Sequence, residues 1–234
     1  MIPDHYLVVS DRPWGRYAFE QAKLPDNWHF ISHLDVVADA LFVPANEAKD
    51  HIRYIFFVHW SKKVTQKITD NFEAVNFHMT DLPYGRGGSP LQNLVAAGND
   101  ETVITAHRMT QEVDAGPVYM KVPLSLAGSA EEVYLRAARK SLVMAEIIAT
   151  QELTPVPQDT VESYMTAFKR RMPEQSRVPE GLSLDGLFDH IRMLDAEGYP
   201  PAFLEYDGFR FEFSRASLRT GRIVADVTIK EIDG

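Results

Sequence analysis

The chain has 234 residues with 33 Asp and Glu against 24 Lys and Arg, a formal net charge of −9, which allows one domain with a substantial core plus a small appendage. That acidic balance gives no electrostatic footprint for a phosphate backbone, so nucleic acid is not an expected partner. Cysteine is absent, which excludes a disulfide framework, a thiolate nucleophile and a cysteine metal site. The opening MIPDHYLVVSDRPWG carries an acid where a secretory signal needs basic residues. No run approaches the ~18 apolar residues that span a bilayer, so a cytoplasmic protein without membrane association is expected.

In chain order, HYLVVS at 5–10, WHFIS at 28–32, YIFFVH at 54–59, residues 74–77, residues 103–107 and VYMKV at 118–122 read as strands. Residues 15–23 and 62–72 read as helices between them. Ser129 with Glu132 three residues later forms a capping box, and Tyr134, Ala138, Leu142, Ala145 and Ile148 then recur at helical spacing on one face. Two proline-bearing stretches, 154–160 and 172–181, read as an irregular connector, because proline removes a donor and disfavours helix in the residue before it. A short helix is expected over 184–194, and Asp207-Gly208 between alternating segments signals a hairpin. Strands alternating with helices predict an α/β, Rossmann-like domain, a parallel sheet flanked by helices, over 1–155, and a small helix-plus-hairpin appendage over 156–234.

The polar residues concentrate after the fourth strand. NFHMTDLPYGRGG at 76–88 follows a buried run, and Asn76 and His78, two apart, point the same way on a strand. Gly85, Gly87 and Gly88 let backbone approach a ligand closely. A second polar turn, QEVDAGP at 111–117, supplies Asp114 as the carboxylate to pair with His78. An imidazole that takes a proton from an attacking amine, an amide that donates to a developing oxyanion, and a carboxylate that stabilises the imidazolium form a coherent set for acyl transfer to an amine. With no cysteine and no G-x-S-x-G, direct transfer is simpler than a covalent acyl-enzyme.

The segments Asn76-Phe77-His78, Leu82-Pro83, Arg86-Gly87-Gly88-Ser89-Pro90 and Val113-Asp114-Ala115-Gly116 closely resemble the N-x-H, LPxxRGxxP and DxG signatures of formyltransferases that use 10-formyltetrahydrofolate. The resemblance implies catalytic positions for Asn76, His78 and Asp114. It also implies a folate site lined by Pro83, Arg86, Gly87 and Gly88 and by the segment from His107 through Val113. Residues 169–176 (KRRMPEQS), with Ile191-Arg192 and the run 199–203 (YPPAF), are similar to segments of sugar N-formyltransferases. That similarity implies an acceptor that is a nucleotide-linked amino sugar for surface glycans such as lipopolysaccharide, and a homodimer. The other readings are formylation of another small amine such as glycinamide ribonucleotide, and a folate-binding protein without catalysis.

Several residues read two ways. Trp14 and Trp60 follow strands at the expected ligand edge and serve either as core or as substrate contacts. Asp81 and Tyr84 are either substrate contacts or ordinary loop polarity. Arg170, with Lys169 and Arg171, is either a solvated cation or a partner for a diphosphate. His51, His59 and His107 lack the short ligand spacing of metal sites, so no metal is expected.

Overall fold

The protein is described by a computed structural model over residues 4–33, 51–159 and 166–232. Its elements are β1 (His5–Val9), α1 (Pro13–Ala22), β2 (Trp28–Ile31), β3 (Ile52–Phe57), α2 (Gln66–Asn71), β4 (Ala74–His78), β5 (Arg86–Gly87), α3 (Pro90–Ala96), β6 (Glu101–Arg108), β7 (Val118–Ser125), α4 (Ala130–Gln151), β8 (Ala167–Phe168), α5 (Leu184–Arg192), β9 (Ala202–Tyr206), β10 (Phe209–Arg219) and β11 (Arg222–Glu231). They fall into two compact units. The first comprises Met1–Gly87, Val103–Leu124 and Tyr134–Ala167, and the second Gly88–Thr102, Ser125–Val133 and Phe168–Gly234. Thr160, at the end of the first expected connector, lies outside the described residues.

The main sheet has the strand order β2-β1-β3-β4-β6-β7. Strands β2, β1, β3 and β4 run parallel, whereas β6 pairs antiparallel with β4. The sheet is therefore mixed, where a parallel one was expected. A buried apolar run reads the same in either direction, so periodicity locates β6 without orienting it, and antiparallel strands on an otherwise parallel sheet are common.

Strand alternation sorts the first unit's core into two faces. Leu7, Val9, Ile31, Ile55, Phe57 and Ala74 form one buried cluster, against which Ile68, Phe72 and Met109 pack. The opposite parity carries an aromatic stack: Tyr6 on Trp28 (ring centroids 4.7 Å apart), Trp28 on Phe56 (5.5 Å) and Phe56 near Phe77 (6.2 Å). Ala74 belongs to the first of these faces, so by the period of two Asn76 and His78 continue that face beyond Phe57, which is the register partner of Asn76. The sheet thus ends its apolar face in a polar patch.

Helix α4 begins as its sequence requires: Ser129 N donates to Glu132 Oε2 (2.8 Å) and Glu132 N to Ser129 Oγ (3.3 Å). Tyr134, Ala138, Leu142, Ala145 and Ile148 are all buried. The helix expected over 62–72 shortens to α2.

In the second unit β9, β10 and β11 form an antiparallel sheet. Asp207 (φ 49°) and Gly208 (φ 78°) make its first turn, and two positive φ values are what a tight two-residue hairpin demands. Leu204, Tyr206, Phe209, Val227 and Ile229 share one face of this sheet by register, and all are exposed. Among the described residues no helix is long and apolar enough to cross a membrane.

Candidate active site

Strand β4 supplies Asn76 and His78, and the antiparallel ladder sets His107 of β6 directly opposite Asn76. Cross-strand partners share a face and stand side by side. After β6 the backbone bonds Met109 N to Ala74 O (2.8 Å) and closes the turn with Arg108 N to Pro117 O (2.8 Å). Asp114 sits in this turn at φ 54°, a left-handed conformation that Asp tolerates better than most residues. A Cβ on Gly116 would lie 1.9 Å from Arg108 O, so the neck of the turn closes only around glycine. The Asp-Ala-Gly-Pro sequence is the local chemistry that aims the carboxylate inward.

Four groups converge on that carboxylate. Oδ1 lies 3.4 Å from Asn76 Nδ2 and 3.4 Å from His107 Nε2, and Oδ2 lies 3.5 Å from His78 Nδ1 and accepts from Gly87 N at 3.0 Å. Burial alone would raise the Asp114 pKa. The His107 hydrogen bond, the nearby charge of both imidazoles and the Gly87 N–H outweigh burial and hold it down to about 2. His78 is lowered as well, by a different cause: burial takes its pKa below the ordinary 6.5, opposed by Asp114 and by the Gly85 carbonyl. Its Nε2 donates to Gly85 O at 2.8 Å, so in the neutral ring the bare nitrogen is Nδ1. A proton taken there meets Asp114 Oδ2 directly. The site therefore holds an ionised carboxylate beside a neutral imidazole at neutral pH, which suits general-base chemistry on an amine.

The sequence-derived residues are placed as follows. Asn76, His78 and Asp114 come together as expected, and Gly87 joins them through its backbone. Arg86 donates through Nε and Nη2 to Gln158 Oε1 (3.2 and 2.8 Å) and pairs with Glu112 at 3.3 Å. Gln158 in turn donates to Asp114 O and Gly116 O, both at 2.8 Å, so it clamps the turn that carries Asp114. This residue lies in the proline-bearing stretch read as a plain connector; its role rests on contacts more than 40 residues away, and no local signal marks it. Val113 is 67% exposed beside Asp114, while His107 is 2% exposed with both ring nitrogens engaged. His107 is thus a buried support for Asn76 and Asp114, not a wall of the folate site. Pro83 follows Leu82 through a cis peptide, and Tyr84 is exposed. Asp81 is tied to Lys121 Nζ at 2.5 Å. Trp14 is buried and stacked on Tyr134 (centroids 4.9 Å apart), which makes it core and removes it as a substrate contact. Trp60 is partly buried against the cluster that holds Leu7 and Phe57. Gly88 and Arg170 belong to the second unit, where a Cβ on Gly88 would meet Arg170 at 2.6 Å. Among the described residues no group of three or more His, Cys, Asp or Glu side chains is arranged to hold a metal ion.

Because His78 is held neutral in the fold, the unfolded chain binds its proton more readily, and the resulting stability is present above about pH 6.5 and lost as pH falls below it. Partly buried His59, lowered to about 4 by desolvation, acts in the same direction. The urea midpoint of the wild type is expected to fall steadily from pH 7 to pH 5, and His78→Gln to give a shallower slope; equal slopes would remove His78 from this account.

A formyl transferase family model matches residues 43–148, and a second, Methionyl-tRNA formyltransferase, C-terminal domain, matches residues 173–230. Methionyl-tRNA formyltransferase of Streptococcus pyogenes is 30% identical over 154 residues, 63% of this chain and 48% of that protein, so the chain spans about half the length of the curated relatives it matches. The solved structure of methionyl-tRNA formyltransferase from Clostridium thermocellum is 37% identical with a TM-score of 0.87, covering 98% of this chain and 99% of that one. A sugar N-formyltransferase from a Shewanella species shares the fold at 15% identity and a TM-score of 0.63, over 91% of this chain and 97% of that one. With its signature residues gathered on one carboxylate and a 37% identical relative matched over 99% of its solved chain, the chain belongs to the formyltransferase family.

Proposed function

We propose that the protein transfers a formyl group from 10-formyltetrahydrofolate to the primary amine of a small acceptor, a nucleotide-linked amino sugar. The observation that carries the reaction is the convergence of Asn76, neutral His78 and ionised Asp114. The amine arrives uncharged and attacks the formyl carbon, an Asn76 N–H meets the developing oxyanion, and the amine's proton passes to His78, where Asp114 offsets the charge; the intermediate then collapses as the bond from the formyl carbon to N10 breaks and N10 takes that proton, leaving as tetrahydrofolate. Exposed Val113 beside Asp114 and the glycine backbone at 87, whose N–H already points into the site, fit a flat reduced pterin that needs close backbone approach.

The sugar acceptor is supported by the segments 169–176 and 191–203 and by the net charge of −9, which gives a polyanion no attraction. Initiator methionyl-tRNA is the second reading, favoured by the C-terminal family match and by the 37% identical relative of that name. A cytoplasmic site of action follows from either acceptor.

With the purified protein and 10-formyltetrahydrofolate, transfer is expected to one member of a panel of amino-sugar nucleotides, read as tetrahydrofolate release and a product heavier by one formyl group. Transfer to methionyl-tRNA alone supports the second reading, and transfer to glycinamide ribonucleotide alone supports the small-amine alternative. Folate binding without transfer to any amine overturns catalysis. On the active acceptor, His78→Ala and Asn76→Ala are expected to lower turnover by ~10² or more. Near-wild-type rates in both variants would sink the assignment of these residues.

We further propose a homodimer that covers the exposed apolar face of Leu204, Tyr206, Phe209, Val227 and Ile229, since monomers rarely expose such contiguous patches. Sedimentation should give twice the chain mass, reduced to one chain in Ile229→Lys; a monomeric wild type contradicts this.

A further inference from the structure

The face of the sheet that ends in Asn76 and His78 begins, at the other end of the strands, with a second polar pair. His29 lies in β2 with Leu7 of β1 as its register partner. His5 stands two residues before Leu7, so strand alternation puts it on the side of His29. The two rings stack with centroids 5.1 Å apart, and His5 Nδ1 lies 2.8 Å from His29 Nε2. Both residues are half-buried.

Two ring nitrogens approach this closely when a single hydrogen lies between them. A neutral imidazole has one N–H and one bare nitrogen, so a neutral pair makes the bond whichever ring donates. One added proton leaves it intact, because an imidazolium still donates to a neutral ring. A second proton places a hydrogen and a charge on both rings, and the bond becomes a like-charge contact. At His29, burial and then the His5 charge lower the pKa. The charged and titratable residues of the adjoining chain and of α2, which packs on this face through Ile68, are Asp4, Asp26, His51, Arg53, Lys67 and Asp70. None of them is among the groups that shift His29.

The pair sits where the sheet is held least. Among the described residues β2 ends the strand order and pairs with β1 alone. Its segment supplies Asn27 O to Tyr6 N (3.0 Å) and Ile31 O to Ser10 N (3.2 Å). An edge strand bonded on one side opens at lower cost than a strand bonded on both.

We propose that the His5–His29 pair is a proton-operated latch on the sheet edge: it holds β2 against β1 while a single hydrogen lies between the rings, and it releases β2 when both rings are protonated. Because His29 is lowered in the fold, the unfolded chain takes its proton more readily. The latch is therefore fully closed above about pH 6.5 and is lost as pH falls below it.

Amide exchange followed by NMR, corrected for the intrinsic pH dependence, reads the latch on the intact chain. Protection of the Tyr6 and Ser10 N–H groups should fall about tenfold or more from pH 7.5 to pH 5, the effect of one pKa unit of differential protonation. Val58 N, which donates to Val9 O at 2.9 Å on the other side of β1, should keep its protection. In His29→Gln, whose amide both donates and accepts and does not titrate, Tyr6 and Ser10 should be equally protected at both pH values. Imidazole ¹⁵N spectra of the wild type give a readout without a variant: the pair should take up its protons in two separate steps, the second below pH 6.5. Constant protection of Tyr6 and Ser10 in the wild type, an equal fall at Val58, the same fall in His29→Gln, or independent titration of both rings near pH 6.5 would each overturn the proposal.

Discussion

An ionised carboxylate inside a protein has to be met by hydrogen-bond donors, and the arrangement around Asp114 follows from that requirement. Its two oxygens face an amide nitrogen, two imidazoles and a backbone N–H. They come from three pieces of chain: β4 gives Asn76 and His78, β5 gives Gly87 N, and β6 gives His107. The turn itself is braced from outside by Gln158, which Arg86 holds in place. Asp114 and His78 are both shifted down, with opposite consequences for charge: hydrogen bonds and nearby charge keep the carboxylate ionised against its burial, and burial keeps the imidazole beside it neutral.

The fold serves this arrangement through parity and direction. Parity continues the apolar face of Leu7, Ile55 and Phe57 into Asn76 and His78, so the polar patch rests on a buried floor while Phe77 joins the aromatic stack on the other side. Direction matters because β6 runs antiparallel to β4. That reversal sets His107 opposite Asn76 and brings the following turn back toward the strand it has just paired with. A parallel β6 would have opened its terminal turn at the other end of β4.

Much of this was legible in the residues. The strands, the α4 capping box and the Asp207-Gly208 hairpin are encoded within a few positions each, and the family signatures brought Asn76, His78 and Asp114 to one site. What was not legible depends on contacts distant in sequence. The direction of β6 leaves no trace in an apolar run. The clamp by Gln158 joins a connector to a turn 44 residues earlier. The support role of His107 depends on the register between two strands, and from sequence alone the residue fitted a folate wall. Trp14 was ambiguous because indoles serve cores and ligand sites alike, and its stacking on Tyr134 settles it as core.

The claim that the Asp114 carboxylate organises the site is tested most directly by single-turnover formyl transfer in Asp114→Asn, a change that keeps shape and removes charge. The rate of the transfer step should fall by ~10² or more while the affinity for 10-formyltetrahydrofolate is kept, because the neutral amide neither stabilises a protonated His78 nor holds the Asn76 donors. A transfer rate within about threefold of wild type, well under the tenfold that 1.4 kcal/mol represents, would contradict the account.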